Sequence, residues 1–193
     1  MPGRVEASSV TACVAGAEPA GAPGPGDRDV DPAGDRRVSV DRMLTVGDPA
    51  PSFSLPDQNG ETVDSSSLKG RRALVYFYPR ADTPGCTTQA CGLRDVLGQV
   101  GDTSIIGSSP DKSAALAKFD TKSGLGFTLL SDVDHSVAEA FGVWQEKKMY
   151  GKVSMGIVRS AFLVGPDGRL QQVWYKISPK DTPTNLLDAL ASS

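Results

Sequence analysis

The stretch Tyr76-Phe77-Tyr78-Pro79-Arg80-Ala81-Asp82-Thr83-Pro84-Gly85-Cys86-Thr87-Thr88-Gln89-Ala90-Cys91-Gly92-Leu93-Arg94-Asp95 decides the fold. It closes an apolar run, Ala73 to Tyr78, whose length and near-continuous hydrophobicity fit a central strand covered on both faces. A polar loop follows. Thr83 then suits a helix N-cap and Pro84 the first helical position. Cys86 falls in the first turn, where free backbone N–H groups and the helix dipole favour an anion. A thiolate is such an anion, so Cys86 is expected to be the more reactive of the two thiols in this helix.

Outward from this core the chain alternates strand and helix patterns. Ala90, Leu93, Val96, Leu97 and Val100 recur at helical spacing and extend the cysteine helix to about Val100. Thr103–Ser108 reads as a strand, Pro110 to about Lys122 as a helix, Phe127–Leu130 as a strand and Asp134–Phe141 as a helix ended by Gly142. Arg159–Val164 and Leu170–Tyr175 read as a hairpin around Gly165-Pro166-Asp167-Gly168. Thr182-Pro183 is expected to cap a last helix carrying Leu186, Leu187 and Leu190. Before the core strand, Asp57-Gln58-Asn59-Gly60 signals a tight turn, with Thr62–Asp64 as its return strand and Ser65–Leu68 as a helical turn. The order implies an α/β fold, a central mixed sheet with helices on both faces. With a cysteine at the first strand–helix junction, it resembles the thioredoxin-like arrangement.

The remaining composition narrows the function. The chain has 193 residues and a net charge of −3, which argues against nucleic acid or an anionic membrane surface as partner. No apolar run approaches about 18 residues, so no membrane span is expected. One histidine and three cysteines without ligand-type spacing argue against a metal site. Gly16 to Asp35 is almost wholly Gly, Ala, Pro and Asp, so residues 1–42 are expected to be a disordered extension and 43–193 the folded domain. Met43 is a candidate start of translation. Val10-Thr11-Ala12-Cys13 is only faintly like a lipoprotein box, because the apolar stretch that should precede it is missing. A close cysteine pair without an export signal reads as redox chemistry in a reducing, cytoplasmic compartment.

Pro79-x-x-x-Thr83-x-x-Cys86 resembles the active-site signature of the peroxiredoxins. A second cysteine five residues on, Cys91, is similar to the two-cysteine branch called PrxQ or bacterioferritin comigratory protein. The resemblance covers about residues 44–193. It implies a thiol peroxidase acting on hydrogen peroxide and organic hydroperoxides, recycled by thioredoxin. No metal, haem, flavin or selenium is implied, and a monomer is expected. Cys86 would be the peroxidatic nucleophile and Thr83 a hydroxyl able to donate to and accept from the peroxide. Pro79 would shield the site from water. Arg159 is named by the resemblance as the cation over the thiolate, and it cannot lose its proton. Ala161 departs from the threonine usual beside that arginine.

Cys91 would be the resolving thiol. On an intact helix, residues five apart lie roughly 8.6 Å apart at Cα, beyond the limit of about 7 Å for a disulfide. Pairing therefore requires the first turns to unwind, between the poor helix formers Gly85 and Gly92. The alternative for Cys91 is a small buried apolar side chain, with resolution by another thiol. Among other side chains, Trp144 is expected to be a partly buried anchor. Lys147 and Lys148 read as a solvated face, His135 as exposed. Arg94 is expected either to pair with the active-site loop or to be an exposed helix charge. The rival activities are a disulfide oxidoreductase, which the Cys-x4-Cys spacing fits poorly, and a peroxide-sensing interaction protein.

Overall fold

The computed structural model describes residues 43–149 and 152–192. The expected extension 1–42, with Cys13, and residues Tyr150, Gly151 and Ser193 lie outside the described residues. Nine strands are seen among those described: β1 Ser54–Pro56, β2 Thr62–Asp64, β3 Ala73–Phe77, β4 Ser104–Ser109, β5 Thr128–Ser131, β6 Trp144–Met149, β7 Lys152–Ile157, β8 Ser160–Val164 and β9 Leu170–Tyr175. Four α-helices join them: α1 Pro84–Asp95, α2 Ser113–Ser123, α3 Ser136–Ala140 and α4 Asp181–Ala191.

The central sheet runs β5-β4-β3-β8-β9. β4 is parallel to both β3 and β5, while β8 is antiparallel to β3 and β9. The sheet is therefore mixed, as expected. Every residue of β3 is buried, because both faces are covered. Its alternation sorts side chains between two cores. Leu74, Tyr76 and Tyr78 join Cys86, Ala90 and Leu93 of α1, Leu116 and Phe119 of α2, and Leu186 and Ala189 of α4. Val75 and Phe77 join Phe53 and Leu55, Val137 and Ala138 of α3, and Phe141. The same alternation on β8 sends Ala161 and Leu163 toward α1, and Phe162 and Val164 the other way.

This register positions the site. Phe77 pairs with Ser160, so the residue just before β8, Arg159, emerges beside the end of β3 and on the α1 side. The backbone carbonyl of Arg159 accepts from Ile177 N at 3.0 Å, and Val158 N donates to Val143 O at 2.8 Å. Both neighbours fix the segment from which the arginine projects.

Two expectations need correction, and one pair of strands went unread. α1 stops at Asp95, and Leu97–Gln99 forms a separate 3-10 turn, since Gly98 interrupts the pattern that suggested one helix to Val100. α4 begins at Asp181 after Lys180; Thr182 lies inside the first turn and is buried rather than capping. The segment from Trp144 to Ile157 is a β-hairpin with Trp144 opposite Ile157 and Lys147 opposite Ser154. Its charged, irregular sequence hid the alternation.

Candidate active site

The loop between β3 and α1 is held from outside the site. Asp111 Oδ2 accepts from Ala81 N at 2.7 Å, and Asp82 pairs with Lys122 of α2 at 2.7 Å. Asp82 adopts φ 55°, a left-handed turn that an aspartate tolerates better than most side chains. The half-buried Pro79 fixes the entry to the loop and brings no N–H.

Thr83 occupies the N-cap position, with extended backbone at φ −102° and ψ 151°, and Pro84 follows as expected. Its carbonyl accepts the first helical bond from Thr87 N at 2.8 Å. Its hydroxyl, however, does not cap the helix. It donates to Arg80 O at 3.0 Å instead. Among the described residues, the N–H groups of Gly85 and Cys86 have no acceptor. They are the groups through which a helix start attracts negative charge.

Cys86 is buried and is a free thiol. Arg159 Nη2 donates to its Sγ at 3.3 Å. Arg159 Nη1 donates to Gln89 Oε1, and Gln89 Nε2 donates to Thr182 Oγ1 at 3.0 Å. The Thr182 hydroxyl passes the chain on to Ser178 O at 3.0 Å. A polar relay thus runs from the sulfur through the guanidinium to the start of α4. Pro79, Thr83, Cys86 and Arg159 therefore lie on adjoining segments: the loop after β3, the first turn of α1 and the head of β8.

Comparison with other proteins now bears on the same residues. Residues 46–173 match the model of the AhpC/TSA family. The chain belongs to that family.

Its relatives are peroxiredoxins. It is 52% identical over 133 residues to peroxiredoxin Bcp of Escherichia coli K12, covering 68% of this chain and 85% of that protein. It is 45% identical over 149 residues to peroxiredoxin Bcp of Bacillus subtilis, covering 76% and 95%. A solved structure of a cysteine-to-serine mutant of Xanthomonas campestris peroxiredoxin Q superposes with a TM-score of 0.72 at 34% identity, covering 79% of this chain and 98% of that one. The chain is thus a Bcp/PrxQ-type peroxiredoxin, a peroxidase of the oxidoreductase class with the thioredoxin-like fold.

Gln89 is the member of this peroxiredoxin site that sequence reading missed. It is fully buried on the face of α1 that also carries Cys86, Ala90 and Leu93. A glutamine among core positions was the available signal, since a buried amide demands partners. Thr182 is its partner and was read only as a cap.

Cys91 is half-buried and free, on the same unbroken helix as Cys86. Full burial, the alternative considered for it, is not what is seen. Gly92 lies against α4, where a Cβ would stand 2.8 Å from Pro183 Cγ. Beneath α1, the Tyr76 ring is wholly buried, and burial pushes its phenol far above the ordinary value, with Tyr78 and Cys86 adding to the shift. It remains neutral.

The other side chains divide. Trp144 is half-buried, as expected, and stacks on His135 at 3.8 Å between ring centres. His135 is consequently half-buried rather than exposed. Arg94 does not reach the loop: it pairs with Asp95 at 2.7 Å and donates to Ser123 O at 2.6 Å, tying α1 to the end of α2. Lys147 is no solvated charge. It is half-buried, and its Nζ donates to the carbonyl of Ile157. The side chain of Lys148 is outside the described set. No helix among the described residues is long and apolar enough to cross a membrane.

Proposed function

We propose that Cys86 is the peroxidatic nucleophile of a two-cysteine cycle acting on hydrogen peroxide and organic hydroperoxides. The observation that carries this reading is the Arg159 guanidinium 3.3 Å from the buried Cys86 sulfur at a helix start with open N–H groups. The Cys86 thiolate attacks the terminal oxygen of the hydroperoxide. The S–O bond forms as the O–O bond breaks, sulfur being oxidised to sulfenic acid and the peroxide reduced to water or an alcohol. Charge moves from sulfur to the departing oxygen. Arg159 and the N–H groups of the first turn hold it there, and the Thr83 hydroxyl fixes the oxygens, its own proton held by Arg80 O until substrate arrives. Pro79 excludes water from this corner. The alkyl peroxide reduction studied in the X. campestris bacterioferritin comigratory protein, which is 34% identical with a TM-score of 0.69, supports the substrate class.

Cys91 completes the cycle. Its thiol condenses with the Cys86 sulfenic acid, releasing water and forming an intramolecular disulfide. The intact α1 forbids this, so the helix opens between Gly85 and Gly92 first. A thioredoxin-type dithiol then restores both thiols by exchange, taking up the disulfide and becoming oxidised itself. The protein works as a monomer in the reducing cytoplasm, through a single domain spanning residues 43–193. Intact mass after a stoichiometric peroxide pulse tests the cycle. The expected result is a loss of two hydrogens, mapped to a peptide joining Cys86 and Cys91, and no such loss in Cys86→Ser. Full turnover with thioredoxin in Cys91→Ser would exclude the resolving role, and a single oxidation without turnover would point to a sensor.

A further inference from the structure

The β6–β7 hairpin brings a second cation to the site. Lys147 projects from β6 alongside Gly156 of the paired strand, where a Cβ would stand in ordinary contact at 3.5 Å from Lys147 Cδ. Its Nζ ends on the carbonyl of Ile157, two residues before Arg159. From there it lies within the electrostatic reach of both Arg159 and Cys86. Burial, and then repulsion by Arg159, lower the affinity of the amine for its proton, while Cys86 works in the opposite direction. Arg159 already has one nitrogen committed to Gln89 and the other to the sulfur.

We propose that Lys147 is a positioning and electrostatic residue of the peroxide reaction, a second cation that stabilises negative charge on Cys86 and on the departing oxygen while anchoring the segment that carries Arg159. The proposal rests on Cys86 being the peroxidatic thiol. Among the bonds that hold the Arg159 segment are Val158 N to Val143 O, Ile177 N to Arg159 O, Ser160 Oγ to Val158 O, and Lys147 Nζ to Ile157 O. Of these, the Lys147 bond is the one made by an ionisable side chain. An ammonium differs from a guanidinium in one useful respect: as a compact point charge with three rotatable donors it can keep its carbonyl while turning a second N–H toward solvent or substrate. The step itself is unchanged in balance. Sulfur gains oxygen, the O–O bond is reduced, and the negative charge that leaves sulfur ends on the leaving oxygen before that oxygen takes a proton from water.

The charged and titratable groups that bear on Cys86 are Arg159 just before β8, which bonds its sulfur, Lys147 from β6, and the neutral phenols of Tyr76 in β3 and Tyr78 just after it. Removing Lys147 therefore removes a favourable field with no compensating loss of a nearby carboxylate. The test measures single-turnover oxidation of Cys86 by hydrogen peroxide, across pH, in wild type, Lys147→Gln, Lys147→Met and Lys147→Arg. Lys147→Gln keeps a donor for Ile157 without the charge, so it carries the test even where Lys147→Met folds poorly. The expected result is a rate roughly fivefold lower in the glutamine variant at neutral pH, as befits a cation acting through space rather than in contact. Its acidic limb moves to higher pH, since losing a cation disfavours the thiolate. Lys147→Arg stays near wild type. A glutamine variant matching wild type in both rate and pH profile overturns the proposal. Failure of wild-type Cys86 to react at all overturns the peroxidatic reading, and this inference with it.

Discussion

Two helix starts in this molecule are built in opposite ways. At α3 every early N–H has an acceptor: His135 N bonds Asp132 O, Ser136 N bonds Asp134 Oδ1, and Val137 N and Ala138 N bond the two oxygens of Asp132 at 3.2 and 2.7 Å. A built-in carboxylate has taken the place that an anion would occupy. At α1 the N-cap residue, Thr83, turns its hydroxyl back to Arg80, and among the described residues Gly85 N and Cys86 N have no acceptor beside the Cys86 sulfur. The first arrangement stabilises the fold; the second leaves the dipole of α1 open to the negative charge of the proposed reaction. Proteins commonly give up stability at functional sites in this manner.

The sharpest way to break the comparison is to make α1 resemble α3. Thr83→Asp supplies a carboxylate cap and adds like charge beside the thiolate. It is expected to raise thermal stability while lowering the rate of peroxide reduction by about 10³-fold, at the upper end for a displaced transition-state donor. Stopped-flow peroxide kinetics alongside calorimetry would show the trade, and an activity equal to wild type would contradict the contrast. Arg159→Met removes the cation but leaves the helix start open. A loss of about 10²-fold in kcat/KM is expected, with Gln89 left seeking a partner. Gly92→Ala forces a methyl group against Pro183, so a destabilisation of about 1–3 kcal/mol is expected in urea melts.

The smallest effects belong to α3. Asp132→Ala should cost about 1–2 kcal/mol of stability, the range for losing a helix cap, with peroxide turnover unchanged. Burial raises the Asp132 carboxyl above its ordinary value of 3.8, even though the N–H groups of Ala138 and Val137 pull it down. The folded state then holds this proton more tightly than the unfolded chain. Its contribution is greatest below the ordinary carboxylate value and declines as pH rises through the raised one. Asp132→Asn should lose that decline, measurable as a flatter stability curve between mildly acidic and neutral pH.

Much of this was legible from residue order. β3 could be placed because a strand buried on both sides is apolar throughout, and α1 because Thr83-Pro84 and the spacing of Ala90 and Leu93 agree. The motif residues Pro79, Thr83 and Cys86 are close in sequence, so local structure brings them together. Arg159 lies 73 residues from Cys86, and only the β3–β8 register makes them neighbours; resemblance, not pattern, singled it out. Gln89, Thr182 and Lys147 were missed for related reasons. A glutamine, a threonine and a lysine are each ordinary at the surface, and their burial follows from packing between α1, α4 and the hairpin. The hairpin itself, Trp144–Ile157, carries lysines and glycine where a half-buried strand would show clean alternation.

The close approach of α1 to α4 has a consequence for how oxidation could be observed. Gly92 lies against Pro183, and Gln89 bonds Thr182, both in the part of α1 that opens in the proposed two-cysteine cycle. The seam therefore sets the free energy of a local opening that leaves β3 and the sheet untouched. Amide exchange should accelerate along α1 and at the head of α4 in the disulfide form, with the β3 amides still slow. Under the proposed cycle, the rate at which a second helix releases and recaptures its neighbour is expected to act as a clock for turnover.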